Sequence, residues 1–252
     1  NYAVAEVATG DPLGVMGYAQ PSDVQHSAQQ AKIAQEKWWA LSYQERAQIF
    51  ENAIQVAIDH KADIIEWLIK ESGSIVMKAS FETDLAIQAL KNAMTLPSSV
   101  QGSILPTQNG KFSLAKRLPL GVVGVISPFN FPLYLAIRAV APALALGNAV
   151  VLKPDERTAV SSGFVIARIF ELAGLPKGLL HVLPGGAEVG EALVNDSNIA
   201  SIQFTGSTEV GRIIGAGAGR TLKKVSLELG GKNSLLILDD ADIDLAAQNI
   251  AC

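Results

Sequence analysis

Apolar positions recur at helical spacing through the first third of the chain. Ser22 followed by Gln25 predicts a capping box opening a helix over Val24 to Trp39, and Ser42 with Glu45 predicts another opening Gln44 to Asp59. Ile49, Ala53, Val56 and Ala57 share one face of the second helix, and Ile64, Ile65, Leu68 and Ile69 one face of a third that runs up to Gly73. These helices read as packing elements. Between Ser103 and Leu118 the runs shorten around Asn109-Gly110, a dipeptide suited to both positive φ angles of a type I′ turn, which predicts a protruding β-hairpin. Such a ribbon serves either as plain surface or as a contact between copies, because an exposed edge invites pairing.

From Leu120 onward short apolar, β-branched runs alternate with helical stretches. The runs are Val122–Ile126, Ala149–Leu152, Leu179–Leu183, Ile199–Phe204 and Val225–Leu229, and helices begin near Leu133, Thr158, Ala187 and Thr208. Strands buried on both faces and separated by helices predict an α/β fold with a parallel sheet. Ser234–Leu238 is predicted as a further strand, followed by a helix from about Asp242 to Cys252.

Composition narrows the function. Twenty Lys and Arg against 24 Asp and Glu leave a net charge of −4, without the basic footprint of a nucleic-acid binder. The single cysteine, Cys252, makes no intrachain disulfide, so a cytoplasmic setting is expected. The most apolar stretch, Leu133 to Leu152, is interrupted by Arg138, Pro142 and Asn148, so no membrane span is expected. Asn1 in place of an initiator methionine, with no signal-peptide pattern after it, reads as a start inside a longer protein. His26, His60 and His181 are far apart and read as surface or loop residues, so no metal site is expected.

Ligands in parallel sheets bind at the carboxyl ends of the strands, so the residues after each run come first. After the first stands Ser127-Pro128-Phe129-Asn130-Phe131-Pro132. Two prolines fix the backbone around Asn130, which is either a turn residue or an amide aimed at a developing oxyanion, a role worth about 3 kcal/mol. After the second, Lys153 and Glu156 form either a solvated ion pair or a cation and carboxylate for ribose hydroxyls. The run Phe204-Thr205-Gly206-Ser207-Thr208 passes through glycine into a capped helix, where free N–H groups suit a phosphate. Gly206, Gly211 and Arg212 brush against a P-loop, but Arg212 and Ile213 replace its lysine and hydroxyl residue; the G-x-G-x-x-G fingerprint is also absent. Finally Glu228 ends an apolar run before Gly230-Gly231-Lys232. It is either a partly desolvated general base or the partner of Lys232 or Lys224.

In this order, Pro128-Phe129-Asn130-Phe131-Pro132, Lys153 with Glu156, Phe204-Thr205-Gly206-Ser207 and Glu228-Leu229-Gly230-Gly231-Lys232 resemble the aldehyde dehydrogenase superfamily over essentially the whole chain. Phe129, where many members carry tryptophan, together with Leu152-Lys153-Pro154-Asp155 is similar to the benzaldehyde and vanillin dehydrogenase branch. The resemblance implies a Rossmann-like sheet with flanking helices. Residues 1–227 would form the cofactor-binding domain, with residues 101–119 a hairpin of the bridging element, and residues 228–252 the start of a catalytic domain.

The same resemblance implies oxidation of an aldehyde, aromatic by the branch likeness, to its acid. A cysteine thiolate attacks, hydride passes to nicotinamide, and Glu228 activates water against the thioester while Asn130 holds the oxyanion. Cofactor contacts are implied at Ile126, Ser127, Phe129, Lys153, Glu156, Gly185, Gly186, Phe204, Gly206, Ser207, Val210, Leu229 and Gly230. NAD is expected over NADP, because the charge of Glu156 repels a 2′-phosphate. The nucleophile of the family follows a Gly-Gln pair further from the glutamate than Cys252, which follows Asn249-Ile250-Ala251 and reads instead as a small packed hydrophobe. The sequence is therefore expected to stop short of its nucleophile. It is read as the N-terminal half of an enzyme that is a dimer or tetramer when full length, the alternative being a non-catalytic cofactor-binding or interaction fragment.

Overall fold

A computed structural model describes residues 1–251; the expectations for Cys252 lie outside the described residues. Its centre is a five-stranded parallel sheet in the order β7-β6-β5-β8-β9, with β5 at Val122–Ile126, β6 at Ala149–Lys153, β7 at Leu180–Val182, β8 at Ile199–Thr205 and β9 at Lys224–Glu228. β5 is buried along its whole length, as its unbroken apolar run requires. The order reverses between β5 and β8, so this Rossmann-like sheet has its topological switch point there. Register aligns the strand ends: Ile126 lies opposite both Lys153 and Phe204, and Thr205 lies opposite Glu228. Motifs scattered over a hundred residues of sequence thus reach one rim.

Helices α5 (Pro132–Ala145), α6 (Val165–Leu172), α7 (Ala187–Asn195) and α8 (Thr208–Arg220) flank the sheet. Between β6 and α6 the chain makes a 3₁₀ turn at Glu156–Thr158 and a π-helical turn at Val160–Phe164, so the helix expected near Thr158 opens irregularly. Ahead of the sheet come α1 (Pro21–Ala40), α2 (Tyr43–Asp59), α3 (Lys61–Ser72) and α4 (Val76–Thr95). The Trp38 indole donates to the Leu144 carbonyl at 2.8 Å, Arg46 Nε to Ala145 at 3.3 Å and the Gln35 amide to Gly147 at 2.8 Å. Leu144 and Ala145 form the last turn of α5 and Gly147 follows just beyond it, so the N-terminal helices are bonded to the sheet layer as well as packed on it.

Several expectations are corrected. The first helix opens at Pro21, not after Ser22: the Gln20 N–H donates to the Asp23 carboxylate at 2.8 Å, and proline at the first helical position loses no bond. The box of Ser42 and Glu45 on α2 forms as expected, with reciprocal bonds of 3.2 and 2.8 Å. β3 (Gly102–Leu105) and β4 (Ser113–Lys116) pair antiparallel as a separate ribbon, but the turn is not type I′. Only Gly110 takes positive φ, at +80°, and the Lys111 N–H reaches back to the Gln108 carbonyl, because a seven-residue connection does not need the tight mirror-image turn.

Ser234–Leu238 is not a strand. It lies in an irregular stretch between β9 and α9 (Ile243–Ala251) and Leu236 is 86% exposed, since an apolar run reports burial and here no neighbouring strand completes a ladder. The first third is not wholly helical either: β1 (Tyr2–Ala5) and β2 (Pro12–Met16) form a hairpin ahead of α1. His181 sits partly buried in β7, its Nε2 3.1 Å from the Gly178 carbonyl oxygen, and burial lowers its pKa. No described helix is long and apolar enough to cross a membrane, and no metal-ligand cluster occurs among the described residues.

Candidate active site

The rim begins at the end of β5. The Ser127 N–H donates to the Lys153 carbonyl at 3.2 Å, which pins the start of the proline-rich loop to β6. Its hydroxyl is buried without a partner, an orphaned polar atom at the switch point. Phe129 is half-exposed, and the Arg157 guanidinium lies 3.6 Å from the centre of its ring while making two bonds, of 2.8 and 2.9 Å, to Asp155. This stack ties the loop after β5 to the loop after β6. Asn130 is exposed, and its amide has no hydrogen-bond partner among the described residues.

In a dinucleotide site the first helix N-terminus after the switch strand usually receives phosphate. Here it is already filled. Glu82 of α4, fully buried, accepts the Leu133 and Tyr134 N–H groups at 2.8 and 3.1 Å. Glu71 of α3 does the same after β6, accepting the Val160 and Ser161 N–H groups and the Ser161 hydroxyl at 2.6–2.9 Å. Burial raises the pKa of both carboxyls, against the N–H donors that lower it.

The N-terminus of α8 is open to an anion. Ser207 caps it by accepting the Val210 N–H at 3.3 Å, and the Thr208 and Glu209 N–H groups have no acceptor among the described residues. Gly206 has to be glycine, because a Cβ there would lie 2.5 Å from the Phe204 ring; Phe204 itself is a core residue. Between α7 and α8 runs a cleft of about 340 Å³, and four of the expected cofactor residues, Ile126, Lys153, Gly186 and Val210, meet in its lining. Ile213 and Gly217 of α8, which carry no motif in the sequence, line it too.

Burial pushes the Lys153 pKa down, while Asp155, Glu156 and Glu188 oppose the shift. Glu156 is exposed at the start of its 3₁₀ turn. A Cβ on Gly185 would lie 2.5 Å from the buried Val189 side chain, and one on Gly186 would displace the Tyr18 hydroxyl, at 2.5 Å, and the Glu188 carboxylate, at 2.7 Å. Nothing in the sequence pattern marks Tyr18. Its hydroxyl pKa is raised by burial and then by Glu156 and Glu188.

Glu228 departs from expectation. Its side chain is 59% exposed rather than desolvated, and its ion-pair partner is Arg138 of α5, at 3.8 Å, not Lys224 or Lys232. Four residues along an extended strand separate side chains by about 13 Å, which puts Lys224 out of reach. Leu229 lies against α8, where a Cβ on Gly211 would collide with it, and Gly230 passes beside Thr208.

A parallel sheet with a switch point, and a cleft and candidate polar groups gathered at the carboxyl ends of its strands, is the arrangement in which α/β folds bind ligands. The chain belongs to the aldehyde dehydrogenase family, whose match runs over residues 1–252. It is 55% identical to a vanillin dehydrogenase of Amycolatopsis sp. over 97% of this chain and 50% of that protein. It is 49% identical to a benzaldehyde dehydrogenase [NAD(+)] of Pseudomonas putida over 96% of this chain and 50% of that one. The crystal structure of an NAD-dependent benzaldehyde dehydrogenase from Corynebacterium glutamicum superposes with a TM-score of 0.94 at 43% identity, covering 98% of this chain and 55% of that one. The chain spans about half the length of the curated relatives it matches.

Proposed function

We propose that this chain supplies the cofactor-binding part, and two of the reacting groups, of an NAD-dependent dehydrogenase that oxidises aromatic aldehydes to carboxylic acids. The observation that carries the reading is the register that sets Ile126, Lys153, Phe204 and Glu228 on one rim of the sheet. The residues fit a dinucleotide: the cleft between α7 and α8 suits an adenosine, Lys153 and Glu156 would hold its ribose, and the open N-terminus of α8 at Ser207 would take phosphate. When bound, NAD supplies the hydride acceptor. Asn130, whose amide has no partner among the described residues, donates to the oxyanion formed when a cysteine of the full-length enzyme other than Cys252 attacks the aldehyde. Glu228 takes the proton of the water that releases the acid.

In this proposal residues 1–227 form the cofactor domain, 101–119 the bridging hairpin and 228–252 the opening of the catalytic domain. Exposed Ile104, Phe112 and Leu114 on the ribbon support assembly into a dimer or tetramer, and the single cysteine supports a cytoplasmic setting. The aromatic substrate class rests on the vanillin and benzaldehyde dehydrogenase relatives. Rapid-mix kinetics of the full-length enzyme test the two roles. Glu228→Gln should keep a burst of NADH and stall afterwards, whereas Asn130→Ala should slow the burst itself by about 10²-fold. Identical kinetics in the two variants would contradict the assignment.

A further inference from the structure

The Asn130 side chain is held by nothing among the described residues, so its direction is set by the backbone of the loop that carries it. Pro128 and Pro132 restrict that backbone but have no N–H with which to anchor it. At its front the loop is pinned by the Ser127 N–H on the Lys153 carbonyl. At its back the side-chain anchor is Glu82, whose Oε1 accepts the N–H groups of Leu133 and Tyr134, three and four residues beyond Asn130. Its other oxygen, Oε2, lies 3.3 Å from Lys78 Nζ, one turn earlier on α4. The same ammonium lies 4.4 Å from the centre of the Phe131 ring, beside Asn130 in the chain. Lys78 and Glu82 therefore grip both the helix start and the loop in front of it.

We propose that Glu82, with Lys78, is a positioning residue for Asn130, fixing the start of α5 and so the direction in which the Asn130 amide donates. The inference rests on the reading of Asn130 as oxyanion donor and adds to it the device that aims it. A fully buried carboxylate is costly to keep unless it is fully used. Glu82 is used twice, by two N–H groups on one oxygen and a lysine on the other. Glu71 offers the contrast of a buried carboxylate that only caps. It receives a helix start in the same way, but no described lysine joins it and no candidate reacting group stands beside it.

The test uses the full-length enzyme that carries this chain. Glu82→Gln is nearly isosteric, but a carboxamide satisfies the two N–H groups or Lys78, not both; Lys78→Met removes the clamp from its half-exposed end and leaves the buried carboxylate in place. Single-turnover NADH formation from benzaldehyde should slow about tenfold in each variant, with the affinity for NAD within about twofold of the parent. In an Asn130→Ala background neither substitution should slow it further, because two residues acting through one group are not additive. Rate losses that multiply in that background, or parental rates in both single variants, would overturn the proposal. Amide exchange of the segment 127–135 in the free protein supplies an arm independent of turnover. It should rise about tenfold in both variants if the clamp holds the loop, and unchanged exchange would also overturn the proposal. If the parent enzyme makes no NADH from aldehydes, or Asn130→Ala reacts at the parental rate, the reading of the reaction falls, while the exchange arm still decides whether Glu82 and Lys78 hold the loop.

Discussion

Arg138 Nη2 lies 3.8 Å from the Glu228 carboxylate and joins the middle of α5 to the end of the edge strand β9. The two side chains are 33% and 59% exposed, so the attraction is worth less than about 1 kcal/mol. In the proposed reaction its value is positional: a base that works on water has to stay near the acyl carbon, and Arg138 restricts where Glu228 can swing. Arg138→Met should lower steady-state turnover about threefold and leave the NADH burst unchanged. A slowed burst would show instead that Arg138 acts on the aldehyde or on hydride transfer.

Glu156 stands exposed at the rim, with Glu188 and Tyr18 gathered beside Gly186. A 2′-phosphate brought there meets negative charge, and Lys153 offsets it only in part. Glu156→Gln should narrow the preference for NAD over NADP by about tenfold, read from titrations of both nucleotides. An unchanged ratio would move the discrimination to other residues.

Burial raises the folded-state pKa of Glu71 above its ordinary value. The folded state then holds that proton more tightly than the unfolded state does. The corresponding stability is fully present below the ordinary carboxyl pKa and is lost as the pH rises through the raised value. Glu71→Gln removes this dependence, so its melting temperature should gain on that of the parent as the pH is raised from about 4 to 7. A variant that loses ground over that window would contradict the sign.

Sequence was most informative where one local rule acted alone. β5 occupies the residues expected because it is apolar on both faces, and α2 starts where its capping box says it should. α4 escaped notice because Glu82 and Thr83 are buried on its inner face and break the apolar stripe that marks a helix. For the same reason Glu82 was invisible as a functional candidate: a lysine four residues before a glutamate ordinarily marks a solvated helix surface. Ile126, Lys153, Gly186 and Val210 were legible through the family resemblance and not through periodicity; Ile126 and Lys153 end β5 and β6, Gly186 caps α7, Val210 lies in the first turn of α8, and all four line one cleft. The Arg138 partner of Glu228 and the Tyr18 contact at Gly186 were not legible, since both depend on how distant elements pack. Ser234–Leu238 misled because its composition states a need for burial and not a strand partner.

If these residues bind NAD beside an aromatic aldehyde, the most direct measurement is kcat/KM of the full-length enzyme for benzaldehyde and for straight-chain aldehydes, each with NAD and with NADP. Nucleotide reduction is followed together with acid formation. The expected result is one benzoate per NADH and the highest kcat/KM for benzaldehyde with NAD. A higher value for the straight-chain series, or for NADP, would contradict it.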